Sequence, residues 1–277
     1  SAGGFLVPLL VGMALMLYGA AQSVRQRNNP RSLILWGSLH DAGIFCLGLG
    51  ASGGINSTGL WLFVLFQAAA RLLAWAALSR LTPPALNAPV QLQDLRATGK
   101  RQPWTAACFG LGMLAAVGGS PFLVPEARMF ISSGILGSMP GAMAALLCMA
   151  LATTVLIWLH VEAVRTAVLD TTGEETPASW AAPSGNVFVM LGLAVVVALL
   201  GLFRGPITEL FASSYNVAVP HSATHPAYWC YYAGAFLTGI AFLVKFDRAP
   251  LVGVAFSALA LATTIATPAG PTAKLFL

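Results

Sequence analysis

Long apolar stretches separated by short polar segments make up most of this sequence. Only 8% of its 277 residues are charged and 57% are hydrophobic, whereas a typical soluble domain carries about 25% charged residues. Because so few charges cannot cover a globular surface with solvated groups, lipid must be the main solvent of the chain. The sequence therefore predicts an all-α, multi-pass integral membrane protein, which we expect in a bacterial inner membrane.

Apolar runs of about 20 residues, the length that crosses the hydrocarbon core as a helix, recur along the chain. The predicted spans are 5–22, 33–50, 59–79, 104–119, 141–164, 186–204, 228–246 and 250–267. The stretch 120–140 is apolar in its second half but is interrupted by Pro121, Pro125 and Pro140. If it is re-entrant the bundle has eight spans, and if it crosses the bundle has nine. Either way we predict a single transmembrane domain over residues 1–277 with one proline-broken helix.

Basic side chains cluster in short loops and form no continuous stripe. They are Arg25, Arg27 and Arg31 in one loop, and Arg80, Arg96, Lys100 and Arg101 in another. The positive-inside rule gives this distribution to cytoplasmic loops, so we expect lipid contacts and no nucleic acid. With eight spans Arg165, Lys245 and Arg248 share the side of these loops, and with nine they lie opposite. An acidic loop after Arg165 weakly favours nine.

The four cysteines are far apart in the sequence. They are Cys46, Cys108, Cys148 and Cys230. No Cys-x-x-Cys or Cys/His ligand spacing is present, so the pattern predicts neither a metal nor an iron–sulfur site. We therefore expect no cofactor in this chain, and no catalytic or redox site of its own.

Ionisable and polar side chains within the apolar helices are the candidate functional residues. An ionisable group at mid-helix costs at least about 2.5–3.5 kcal/mol on insertion scales, so those that are retained carry information. The candidates for an ion path are His40, Asp41, Gln67, Arg71, Glu126, Arg128, His160 and Glu162. They predict a buried hydrophilic track along which protons or cations move between titratable sites.

The residue types define the roles that we expect along this track. Histidine titrates near working pH, which makes His40 and His160 candidate proton relays, with Asp41 and Glu126 as titratable carboxylates. The prolines beside Glu126 break a helix, where freed backbone groups and water can line a cavity. Arg71 stays protonated, so it can set the field for its neighbours but cannot pass a proton on.

Structural interpretations of the same residues stay open at this point. His40 and Asp41 could be interfacial, because the start of their helix is uncertain by a few residues. His160 and Glu162 lie near a helix end, from which they could reach the headgroups. Glu126 and Arg128 could form a structural ion pair.

Four stretches, taken in order, resemble one protein family. RSLILWGSLHDAGIFCLGLG is similar to a family helix that begins with a basic residue and Leu-Leu-Ala-Tyr, with Ser38 and Gly43 at matching positions. LFVLFQAAARLLAWAALSRL resembles the next helix, whose pattern is His-x-x-x-His-x-x-x-Lys. QDLRATGKRQPWTAACFGLGMLAAVGGSPFLVPEARMFI resembles the Asp-Leu, basic residue, Pro and Gly-x-Pro-Pro break. EETPASWAAP, before an apolar helix ending GLFRGP, resembles a loop of the hydrogenase branch.

The family is the antiporter-like, proton-conducting membrane subunits of respiratory complex I, of membrane-bound hydrogenases such as formate hydrogenlyase, and of Mrp-type antiporters. The resemblance covers residues 5–212, leaving additional helices over 228–267, and corresponds to the C-terminal half of a usual member. It implies inverted helical repeats with broken helices at the ion path. Arg71 stands where the family has its mid-helix lysine. Gln67 and Phe63 stand where the family often has histidines, and Met129 lies near the position of a further lysine or glutamate.

The resemblance implies a membrane subunit of a multi-subunit energy-converting redox complex that conducts or scaffolds the movement of protons or sodium ions. Its partners would be membrane and peripheral subunits of a respiratory or hydrogenase-like complex, which would hold the redox centres. One alternative is a half-antiporter that works with another membrane chain. Another is a membrane enzyme for a lipid-linked substrate, which predicts that His40, Asp41, His160 and Glu162 converge at one membrane face.

Overall fold

The computed structural model describes residues 6–51, 54–82, 90–96, 98–118, 124–138, 141–170 and 187–214. Within them the elements are α1 (Leu6–Arg25), α2 (Pro30–Gly50), α3 (Gly54–Leu81), a 3-10 turn (Leu92–Leu95), α4 (Thr98–Arg101), α5 (Pro103–Val117), α6 (Val124–Ser138), α7 (Ala142–Val164), a π-helical turn (Arg165–Leu169), α8 (Val187–Leu202) and α9 (Arg204–Ser214). The predicted spans 228–246 and 250–267, and the loop EETPASWAAP, lie outside the described residues.

The described part of the chain confirms an all-α membrane protein. Four helical segments are long and apolar enough to span a bilayer, at Leu6–Arg25, Pro30–Gly50, Ser57–Leu81 and Ala142–Leu169. Shorter apolar helices lie at Pro103–Val117, Ala127–Leu136 and Phe188–Gly201. Large apolar side chains such as Leu151 and Phe188 are exposed on the outside of the bundle, as expected where lipid is the solvent.

Helix α2 begins three residues earlier than predicted, at Pro30. The Asn29 side chain accepts hydrogen bonds from the backbone N–H groups of Arg31 and Ser32, at 3.0 and 3.2 Å. An Asn cap followed by proline at the first helical position is a strong start signal. Because the helix then runs to Gly50, His40 and Asp41 lie at its middle, which excludes the interfacial interpretation.

Helices α1 and α2 pack at backbone distance through glycines. A Cβ atom added to Gly43 would lie 2.7 Å from the carbonyl oxygen of Gly12 and 2.8 Å from the backbone nitrogen of Met16. A Cβ on Gly19 would lie 2.9 Å from the backbone nitrogen of His40. Small residues commonly permit such close approach between membrane helices. This packing holds the His40 turn of α2 firmly against α1.

Helices α5 and α6 lie one after the other along α3. A Cβ on Gly112 of α5 would lie 2.6 Å from the backbone nitrogen of Ala74, in the second half of α3. A Cβ on Gly59, in the first half of α3, would lie 2.7 Å from Cβ of Phe130 in α6. The two short helices therefore form one discontinuous passage antiparallel to α3. Gly118, at φ 88°, ends α5 in the left-handed conformation, at the predicted break.

Within the described residues, this geometry shows how α5 and α6 contribute to the number of spans. Thr98 donates to the carbonyl of Ala167 at 2.8 Å, and Arg96 pairs with Asp170 at 3.4 Å, so α7 ends where α5 begins. In the described part of the stretch 120–140, α6 is neither re-entrant nor a separate span, because it completes the crossing that α5 starts. Arg165 consequently lies at the same end of the bundle as both basic loops, as the eight-span count requires.

The glycine contact between α1 and α2 predicts that alanine at Gly43 destabilises the protein more than alanine at a glycine with open space around it. Gly43→Ala forces the new Cβ against backbone atoms that cannot move aside, and should lower the free energy of unfolding by roughly 1–3 kcal/mol. Gly192→Ala is the matched control, since nothing lies within 4 Å of a Cβ there. Melting temperatures of both variants in one detergent measure the difference. Equal temperatures would contradict the close packing.

The single crossing formed by α5 and α6 predicts from which side of the membrane Arg96 and Met143 can be reached. In a cysteine-free background, Arg96→Cys should react with a membrane-impermeant thiol reagent from the same side as Arg27→Cys. Met143→Cys, at the start of α7, should react only from the opposite side. Labelling of both Arg96→Cys and Met143→Cys from one side would show that the passage crosses twice or returns.

Candidate functional site

Arg71 and Asp41 form a buried ion pair between α3 and α2. The guanidinium Nη2 and Nε atoms donate to Oδ2 of Asp41 at 2.7 and 3.1 Å. Each residue is only 7% exposed, so neither charge has the solvent that would otherwise stabilise it. Hydrogen bonds between ionised partners at such distances are the strong kind. The two charges, which are costly singly in hydrocarbon, compensate each other here.

Gly37 provides the space for the Arg71 head group. It lies one turn before Asp41 on α2, and a Cβ at this position would lie 2.7 Å from both Nη1 and Nη2 of Arg71. Any larger residue would occupy the volume of the guanidinium. The backbone of α2 thus forms one wall of the ion pair while its Asp41 side chain forms the anionic partner.

His160, on α7, binds the other side of the same guanidinium. Its Nε2 lies 3.0 Å from Nη1 of Arg71, and its Nδ1 lies 2.9 Å from the carbonyl oxygen of Leu156. Arginine can only donate and a carbonyl can only accept. His160 is therefore the neutral imidazole with its proton on Nδ1. It is fully buried, so it does not reach the headgroups.

His40, also fully buried, has partners of a different kind. Its Nδ1 lies 3.3 Å from Oδ1 of Asp41, and its Nε2 lies 3.3 Å from the hydroxyl of Thr153 on α7. The hydroxyl group can donate or accept. His40 thus connects the carboxylate of the ion pair to a half-buried side chain on α7.

Arg128 and Gln67 meet the carboxyl end of α5, where the broken passage leaves carbonyl groups without helical partners. Arg128 donates from Nη1 to the carbonyl of Val117 at 3.0 Å, and Gln67 donates from Nε2 to that of Ala116 at 2.8 Å. Arg128 also lies 3.8 Å from Oδ1 of Asp41. The negative end of the α5 dipole therefore joins the site.

We call the five ionisable side chains that meet here the Asp41 cluster. Its members are His40, Asp41, Arg71, Arg128 and His160. They come from α2, α3, α6 and α7, and all five were candidates in the sequence. The cluster contains one carboxylate facing two guanidinium groups.

The remaining candidates lie at the edge of the cluster or outside it. Gln67 lies one turn from Arg71 on the same face of α3, as predicted. Glu162 is half-buried on α7 and forms no ion pair with any described residue. Glu126 lies in the first turn of α6, but its side chain is outside the described part. No group of three His, Cys, Asp or Glu side chains in the described residues could hold a metal ion.

Sequence reasoning missed Gly37 and Thr153. Neither residue is ionisable, so neither stood out in an apolar helix. Gly37 could have been found through its spacing, since it precedes Asp41 by one helical turn and so shares its face. No local signal marks Thr153, because its partner His40 is distant along the chain.

Comparison with known proteins identifies the fold. No protein-family model and no curated protein matches the sequence. Among solved structures, 76% of the chain matches a chain of the membrane-bound sulfane sulfur reductase, an archaeal respiratory membrane complex, with 17% identity and a TM-score of 0.65. Likewise, 77% matches a chain of the Mrp complex from Dietzia sp. DQ12-45-1b, with 18% identity and a TM-score of 0.63. The chain has the fold of these subunits.

The similarity to the Mrp complex and to a respiratory membrane complex confirms, at the level of the fold, the resemblance that four sequence stretches predicted. The chain covers 42% of the first matched chain and 47% of the second. It therefore spans less than half the length of each of these two chains.

The buried ion pair predicts a double-mutant effect on stability. Asp41→Asn and Arg71→Met each leave one buried charge without its partner, and each should lower the free energy of unfolding by about 3–5 kcal/mol. The double variant removes both charges of this pair, while Arg128 keeps its hydrogen bond to the Val117 carbonyl, and should recover most of this loss. Arg27→Met, at an exposed position, should change stability little. Unfolding in mixed detergent micelles measures all four, and additive losses would contradict the pairing.

Proposed function

We propose that this chain is a membrane subunit of a multi-subunit energy-converting complex, in which the Asp41 cluster sets the electrostatic field of a proton or sodium path. The observation that carries the proposal is the cluster itself, a charged network from four helices at the break of a membrane-spanning passage. Replacing a buried ion pair by apolar residues often costs no stability. A network of this size in lipid is therefore better explained by ion movement than by folding alone.

The contacts of Arg71 define which part of the cluster is fixed. Its guanidinium stays protonated and is engaged by Asp41 on one side and by His160 on the other. A lysine at this position could release its proton, whereas this arginine cannot. Arg71 would thus act as a stationary charge that biases titratable neighbours. Any proton that moves would pass along the other members.

The fold similarity supports partners in the same membrane. The two matched chains belong to a respiratory membrane complex and to the Mrp complex, so we infer that this chain also works beside other membrane subunits and lipid. Respiratory or hydrogenase-like peripheral subunits would hold the redox centres. The concentration of arginines at one end of the bundle supports that end as cytoplasmic, in a bacterial inner membrane.

A half-antiporter that works with a second membrane chain is the other candidate function, and the similarity in fold to a chain of the Mrp complex favours it. The lipid-linked enzyme has less support. It requires four acid and base groups at one membrane face, whereas His40 and Asp41 lie at the middle of α2 and Glu162 forms no ion pair with any described residue.

Isolation of the tagged chain in mild detergent, with mass spectrometry of its partners, tests the proposal. We expect co-purification with subunits of a respiratory or hydrogenase-like complex. Assembled complexes with the Asp41→Asn/Arg71→Met variant should then translocate ions at least about tenfold more slowly, which corresponds to ~1.4 kcal/mol of lost stabilisation. A chain that purifies alone would overturn the complex. Recovery of only a second transporter-like chain would favour the half-antiporter.

A further inference from the structure

The two buried histidines of the Asp41 cluster differ in the hydrogen bonds that their ring nitrogens can make. Both nitrogens of His160 face groups with a single possible role, a guanidinium donor and a carbonyl acceptor. One nitrogen of His40 faces a carboxylate acceptor, and the other faces a hydroxyl that can take either role. This difference decides which ring can change its protonation state.

His160 is held in one state by its partners. If Nε2 gained a proton, that N–H would point at Nη1 of Arg71, another donor, 3.0 Å away. The hydrogen bond would be lost and two positive charges would be in contact without solvent. Loss of the Nδ1 proton would leave the Leu156 carbonyl without its donor. Both changes are costly inside the bundle.

His40 is satisfied in two states. In the neutral ring, Nδ1 donates to Oδ1 of Asp41 while Nε2 accepts from the hydroxyl of Thr153. In the protonated ring, Nε2 donates to the Thr153 oxygen after rotation of the hydroxyl, and no heavy atom has to move. The same contacts at 3.3 Å serve both states.

The groups around His40 come from every helix packed against it. The charged groups are Asp41 on α2, Arg71 on α3 and Arg128 on α6. His160 on α7 stays neutral, and α1 contributes the backbone of Gly19. Among the described residues, Asp41 and Thr153 are the groups within hydrogen-bond distance of the ring nitrogens.

We propose that His40 and Thr153 form the proton-exchanging branch of the Asp41 cluster, while Arg71 and His160 are its fixed branch. In the step, Thr153 passes its hydroxyl proton to Nε2 of His40 and takes one from a protonated water on its open side. Two O–H bonds break, that of Thr153 and one of the protonated water, one N–H and one O–H bond form, and the net change is the transfer of one proton from the water onto the ring. The inference deepens the proposed function and rests on it for its biological role.

Nuclear magnetic resonance of the full-length chain in lipid nanodiscs, with 15N-labelled imidazole rings, tests the branch directly. His40→Gln and His160→Gln assign the two signals by their loss. As the pH is lowered from about 9 to about 4, a range that extends well below the ordinary histidine pKa, the His40 signal should change from neutral to protonated. The His160 signal should keep the Nδ1–H form throughout. A His40 signal that does not change, or a His160 signal that does, would overturn the assignment.

Two neighbouring threonines provide a matched functional pair. Thr153→Val removes the hydroxyl that faces His40 with little change of shape, and should slow proton translocation by the assembled complex about tenfold, as the loss of one hydrogen bond predicts. Thr154→Val is the control, because Thr154 is exposed and, among the described residues, its hydroxyl donates to the Ala150 carbonyl of its own helix. Equal rates for the two variants would overturn the role of Thr153.

The two measurements separate this inference from the proposed function. The titration needs no partner chain, so a chain that purifies alone but shows a titrating His40 would overturn the complex and support the branch. A complex that assembles and translocates ions around an invariant His40 would support the function and overturn the branch.

Discussion

The ion pair between Asp41 and Arg71 is the contact on which the interior of this protein depends. Each charge alone would be costly in lipid, so the position of one requires the other at hydrogen-bond distance. That requirement places α2 against α3 at one depth, and it makes Gly37 necessary, because the guanidinium lies where a side chain would otherwise be. His160 then brings α7 to the same guanidinium. Three helices are thus held in register by one arginine.

The interrupted passage formed by α5 and α6 supplies backbone carbonyl groups as hydrogen-bond acceptors inside the bundle. A continuous helix satisfies its own carbonyls and presents an apolar surface to its neighbours. Ending α5 at Gly118 frees carbonyl groups within the bundle, and Gln67 and Arg128 bind two of them. Arg128 also approaches Asp41, so the helix end and the ion pair form one electrostatic unit.

Much of this arrangement could be predicted from local signals. Low charge density identified the membrane class, and the prolines near Glu126 identified the break. The candidates His40, Asp41, Arg71, Arg128 and His160 were found because ionisable groups within apolar helices are rare. Glu162 met the same criterion but forms no ion pair with a described residue, since sequence spacing gives the face of a residue on its own helix and not the helix that it meets.

The sequence by itself determined that the chain is helical and belongs in lipid, and which side chains are costly there, because these properties depend on composition and on short-range order. Only the tertiary structure decided how the costs are compensated. Partners such as His40 and Thr153 are separated by 113 positions in the chain, and no local rule relates them. The same holds for the difference between the two histidines, which depends on whether the group opposite each ring nitrogen can both donate and accept.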